Sequence, residues 1–85
     1  MPTISMFYGI IIRMFFDDHN PPHFHAEYQG HSSMFDMDGN VLDGDFPKNK
    51  IKYVQTWAEI HRDELIANWQ IAQERGELYK IEPLR

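Results

Sequence analysis

The sequence predicts an α+β domain: an antiparallel β-meander of about four strands followed by two helices packed on one face. Three observations carry that expectation. Apolar residues run together or alternate up to Gly44, their spacing widens to three or four beyond Pro47, and Gly, Asn, Asp and Pro interrupt the first half at short intervals. A chain of 85 residues supports one hydrophobic core, so residues 1–85 are expected to form a single domain.

The first five residues read as an extended, mobile lead-in. From Phe7 to Phe16 the chain is nearly all apolar, with Arg13 its one charged member, which predicts a central strand covered on both faces. Asp17 to Pro22 ends it, because two prolines cannot donate ladder hydrogen bonds and Asp and Asn favour turns. His23 to Tyr28 then alternates, placing His23, His25 and Glu27 on one face and Phe24, Ala26 and Tyr28 on the core face.

Gln29-Gly30 suits a two-residue turn, and His31 to Met37 returns as the next strand. That turn fixes a register: Tyr28 opposite His31, Ala26 opposite Ser33, Phe24 opposite Phe35, His25 opposite Met34 and His23 opposite Asp36. The resulting polar face holds His23, His25, Glu27, Ser32 and Asp36. Asp38-Gly39-Asn40 predicts a further turn, and Val41 to Asp43 a short edge strand ending at Gly44.

Pro47 fits the first turn of a helix whose stripe is Ile51, Val54, Trp57 and Ala58; a second stripe, Leu65, Ile66, Trp69 and Ala72, ends near Arg75-Gly76. One helix over 47–75 would measure about 43 Å, too long for so small a domain. A break near His61-Arg62-Asp63 follows, with Asp63 or a neighbour as cap. Tyr79-Lys80-Ile81 is the candidate for a short C-terminal strand before Pro83. Phe24, Tyr28 and Phe35 should meet Val54, Trp57, Leu65 and Trp69, whereas Phe46 and Tyr53 read as exposed aromatics.

Composition excludes several classes of function. The chain has no cysteine, which removes disulfides, thiolate zinc sites and a thiol nucleophile, and fits a reducing cytoplasm. No signal peptide or membrane span is expected, since the longest apolar runs fall far short of the roughly 20 residues that cross a bilayer. A net charge of −5 opposes nonspecific nucleic-acid binding except through a local basic patch, for which Lys48, Lys50 and Lys52 are the candidates. Their ordinary role would be a solvated helix entrance. No phosphate-binding glycine loop is present, and Asp36 to Asn40 lacks the closing glutamate of a calcium loop.

The segments Phe7-Tyr8-Gly9-Ile10-Ile11-Ile12-Arg13-Met14 and Asp18-His19-Asn20-Pro21-Pro22-His23-Phe24-His25-Ala26-Glu27-Tyr28 resemble the hallmark of a family of small bacterial proteins of unknown function. Trp57 to Leu65 and Ile81-Glu82-Pro83-Leu84 are similar to the rest of that pattern. The resemblance implies a stand-alone bacterial domain encoded beside another small protein, in an arrangement like a toxin–antitoxin pair. It carries over no catalytic residue, cofactor or substrate.

Four of the five histidines lie within thirteen residues, and imidazole both ligates metals and transfers protons near neutral pH. Residues two apart on a strand share a face, so His23 and His25 can chelate one divalent ion, with Glu27, Asp36, His19 or Asp18 as further ligands. Two imidazoles and a carboxylate suit zinc, iron(II) or nickel, with a position left for water and hence hydrolysis. The ordinary alternative is a pair of solvent-facing histidines, with His23 hydrogen-bonded to Asp36. A metal-free ribonuclease could instead draw acid and base from His19, His23 and His25, with Arg13 or a lysine of the 48–52 cluster stabilising phosphorane charge. The everyday role of Arg13 is an ion pair with Asp17, Asp36 or Glu27. The third possibility is a noncatalytic module that binds a protein encoded by a neighbouring gene.

Overall fold

A computed structural model describes residues 2–85. Five strands, β1 (Thr3–Phe7), β2 (Ile10–Arg13), β3 (His23–Tyr28), β4 (His31–Asp36) and β5 (Val41–Gly44), form one antiparallel sheet in sequence order. Two helices follow, α1 (Lys48–Ile60) and α2 (Arg62–Gln73). The class is α+β as expected, with one strand more than the pattern of turns suggested.

The extra strand comes from the apolar run at the start. Residues 7–16 are not a single strand covered on both faces: Tyr8 (φ 51°) and Gly9 (φ 78°) make a two-residue hairpin, and Thr3–Phe7 folds back as the edge strand β1. Positive φ at both turn positions matches the twist of the flanking strands, but an aromatic residue is an unusual choice for the first. A lone glycine inside an unbroken apolar stretch was the one clue. The mobile lead-in is corrected as well, since Thr3 to Ser5 are paired with β2 as part of β1; Met1 lies outside the described residues.

The β3–β4 register is the one derived from the Gln29-Gly30 turn, from Tyr28 opposite His31 to His23 opposite Asp36. Phe24 and Phe35 stack with ring centroids 5.6 Å apart, and Trp57 of α1 meets Phe24 edge-on at 5.7 Å and Phe7 at 5.4 Å. Val54, Ala58, Leu65, Trp69 and Ala72 complete the core from the helices. Phe46 belongs to this core too, packed edge-on against Phe35 at 5.5 Å, so it is not an exposed aromatic. Burying that ring fixes the entry into α1.

The helices part at His61, whose backbone (φ −109°, ψ 23°) leaves the helical region. Asp63 is not the cap; it sits in the first turn of α2 with Glu64, where negative charge suits the positive end of the helix dipole. The first turn of α1 has no acidic residue and no side-chain cap, and it opens instead on Lys48 and Lys50.

Residues 74–85 form no strand. Asn68, buried on α2, donates to the Tyr79 carbonyl (2.9 Å) and accepts from the Tyr79 amide (3.0 Å), using the groups a ladder would need. One sheet-like bond survives, from the Ile81 amide to the Ile4 carbonyl of β1 (2.8 Å). The tail is thereby strapped across the helices to the sheet edge. No helix among the described residues is long and apolar enough to cross a membrane.

Gly39 holds the β4–β5 turn against α1. Its φ is +86°, and a Cβ there would lie 2.8 Å from the Gln55 Cα, a backbone atom that cannot swing aside. Gly39→Ala should therefore cost about 2–4 kcal/mol, combining left-handed strain with overpacking. A lowered urea midpoint with an unchanged denaturant slope checks it.

Candidate functional site

The loop after β2 builds the site. Asp17 adopts positive φ (55°), its amide donates to the Ala72 carbonyl at the end of α2 (3.2 Å), and its carboxylate accepts from Arg75 Nε (2.7 Å). Anchored this way, the loop turns Asp18 back over the start of β3. The Asp18 Oδ1 accepts from the His19 amide (2.9 Å) and lies 3.0 Å from His19 Nδ1. Its Oδ2 lies 2.8 Å from His23 Nε2 and 3.3 Å from His25 Nε2.

These three ligand-type groups, Asp18, His23 and His25, offer atoms that all fall within 4.8 Å of one another. His23 and His25 share a strand face as the alternation requires, but His23 is not solvent-facing. Its side chain is wholly buried, with the rings of His25, Trp69 and His19 at 5.1, 5.2 and 5.3 Å. Its hydrogen-bond partner is Asp18 rather than Asp36.

The tautomer of His23 follows from its other contact. Nδ1 lies 2.7 Å from the Pro21 carbonyl, which can only accept, so Nδ1 carries a proton. Nε2 then points either a lone pair or a second proton at the Asp18 carboxylate. Lone pair against carboxylate oxygen at 2.8 Å is repulsive, so the contact calls for a cation between them, a proton or a metal ion.

Two of the three groups, His25 and Asp18, are shifted toward their ligand forms. Burial pushes the His25 imidazole below its ordinary value, and neighbouring His23 adds to this against the opposing pull of Asp18. Burial would raise Asp18, yet the His19 backbone N–H and the bonds from His25 and His23 outweigh it and hold the carboxyl below the usual range. His25 also packs on Phe15, with centroids 4.2 Å apart.

The other candidates lie elsewhere. Glu27 faces Arg13 across the β2–β3 pair (Nε to Oε2 3.6 Å), which is the ordinary ion pair for that arginine. Asp36 sits opposite His23 in register, but Oδ1 accepts the amides of Asp38 and Asn40, both at 2.9 Å, and Oδ2 accepts the Asn40 side chain. It is a turn-forming carboxylate. His19 is mostly exposed and reaches the second Asp18 oxygen. Sequence reasoning offered Asp18 only as a loop alternative, and Trp69 as a cover for His23 was missed. The clue was the Pro21-Pro22 pair, which forces the loop to double back within the six residues from Asp18 to His23.

Residues 9–70 match the family described as Domain of unknown function (DUF4160). The chain belongs to this family. The matched span includes Asp18, His23, His25 and Trp69, and leaves out β1 and the C-terminal strap, a narrower extent than the whole-chain resemblance implied. No curated protein and no solved structure shows significant similarity to the chain.

Proposed function

We propose that this DUF4160 domain binds a divalent metal ion through Asp18, His23 and His25. The observation that supports it is the convergence of one carboxylate oxygen and two imidazole nitrogens, with the His23 Nε2 aimed into the cluster by the Pro21 carbonyl on its other nitrogen. A second bond of that kind is how metal-ligating histidines are ordinarily oriented.

The distances suit an ion. Tetrahedral ligands with bonds of 2.0–2.1 Å stand about 3.3 Å apart, the separation already present between His25 and Asp18; the 2.8 Å contact to His23 needs only a small opening. Two nitrogens and one oxygen suit zinc, iron(II) or nickel, and three protein ligands leave room for water. A divalent ion there would polarise that water and support hydrolysis. Complete burial of His23 favours a ligand role over a general acid or base, which has to reach its substrate.

Equilibrium dialysis against zinc followed by elemental analysis should return about one ion per chain at pH 7. Protons compete for the same atoms. Affinity should fall as the pH is lowered, and because burial holds the His25 imidazole below its ordinary value near 6.5, the His25 share of that loss lies below that pH. Absence of stoichiometric zinc, nickel and iron(II) at neutral pH would refute the proposal.

A further inference from the structure

We infer that the tyrosine–lysine surface at the start of α1 binds single-stranded nucleic acid. The surface is assembled from three elements distant in sequence: Tyr8 from the β1–β2 turn, Tyr28 from the end of β3, and Lys50, Lys52 and Tyr53 from α1. Lys50 Nζ stands 5.2 Å from the Tyr28 ring centroid and 5.5 Å from that of Tyr53, Lys52 Nζ is 5.4 Å from Tyr53, and the Tyr8 and Tyr53 rings are 5.1 Å apart.

The charges there are unspent. The sequence carries 13 acidic residues, yet Lys48, Lys50 and Lys52 form no ion pair among the described residues, where every ion pair is made by arginine or histidine. Ring faces hold Lys50 and Lys52 in place of carboxylates. Lys48 and Lys50 also stand in a first helical turn that disfavours positive charge. A surface that holds Lys50 and Lys52 on ring faces without counter-charges, with Lys48 one turn before Lys52 on the same helix, is complementary to a polyanion.

The aromatic side narrows the polyanion. Tyr8 is 52% exposed and occupies a left-handed backbone position that a tyrosine rarely takes. Local strain at an exposed ring points to a use for that ring. Nearby, a cleft of about 350 Å³ runs between Gly9 and the Gln29-Gly30 turn, with Tyr28 and Glu27 in its wall. Single strands offer phosphates to lysines and free base faces to tyrosines, the combination that sequence-tolerant single-strand binders use. Duplex hides its base faces in the stack, and a peptide of Asp and Glu has no aromatic face to stack on Tyr8. The rest of this acidic chain repels a long polyanion, so the contact is confined to a few phosphates.

Fluorescence anisotropy with a labelled oligothymidylate of about twelve nucleotides tests the inference. EDTA in the buffer separates its outcome from that of the metal site. Binding should appear at about 50 mM salt and weaken on a log–log salt plot by roughly 0.7 per phosphate neutralised. The triple variant Lys48→Ala, Lys50→Ala, Lys52→Ala keeps helix-forming residues, and it should lose about tenfold or more in affinity and flatten that slope by about two. Tyr8→Asn preserves a residue tolerant of positive φ; it should weaken binding several-fold with the slope unchanged. No salt-dependent binding by the wild type, both variants binding like wild type, or heparin and polyaspartate competing as well as unlabelled oligothymidylate would each overturn it.

Discussion

Asp18→Asn should abolish metal binding while leaving the metal-free chain folded. The two halves of this expectation rest on one geometry. An amide in place of the carboxylate keeps the volume and can still accept the His19 amide at Oδ1, while its NH2 can donate to the His23 Nε2 lone pair, the one free position left once Nδ1–H is given to Pro21. Without metal the variant exchanges a charge-assisted bond for a neutral one, so stability should fall by only about 1–2 kcal/mol. As a ligand the amide fails, because it has no negative charge with which to displace water from a divalent ion. Affinity should fall by more than about 100-fold, beyond the range usual for a residue that merely orients a ligand.

Asp36→Asn separates this site from the one that strand register alone suggests. Asp36 lies directly opposite His23, yet its oxygens hold the turn at Asp38 and Asn40. That substitution should leave metal affinity unchanged and loosen the turn by about 1 kcal/mol. If instead Asp18→Asn costs the 3–5 kcal/mol typical of a broken buried ion pair and the wild type binds no metal, the cluster is an internal imidazolium–carboxylate pair. Zinc titration and urea unfolding of the same two variants distinguish the outcomes.

The contrast between Asp18 and Asp36 shows which parts of the fold are written locally. Period-two alternation placed His23 and His25 on one face, and the Gln29-Gly30 turn set the β3–β4 register, because both follow from backbone geometry over a few residues. What each carboxylate does depends on competition. Asp36 has two turn amides close by in sequence, Glu27 meets Arg13 across the strand pair, and Asp18 is left for the histidines only because Arg75 and Ala72 tie Asp17 down from the far end of α2. None of that is visible in periodicity. The β1–β2 hairpin was hidden for a different reason: its turn uses tyrosine at a position where glycine or asparagine would have announced it. The C-terminal strap was likewise unreadable, since its partner Asn68 is a polar residue inside a helical stripe eleven positions away.

Trp57→Ala should be the most damaging single substitution to the fold, costing about 3–5 kcal/mol of the roughly 5–10 kcal/mol a domain of this size holds. The indole has no exposed surface, touches Phe7 and Phe24 on one side and His61 at 5.7 Å on another, and donates Nε1–H to the Glu82 carbonyl (2.8 Å). It thus joins sheet, helix break and tail, three parts with no other common residue in the aromatic contacts. Trp57→Phe dissects the effect. Phenylalanine keeps a ring against Phe7 and Phe24 but strands the Glu82 carbonyl, so it should cost about 1–3 kcal/mol and free the tail to exchange and proteolysis before the sheet opens. Hydrogen exchange read residue by residue tests this directly. Faster exchange at Ile81, whose amide bonds β1, with Ala26 and Phe35 still protected, marks the tail as a separately opening unit; equal acceleration of all three means that Trp57 supports a single cooperative structure.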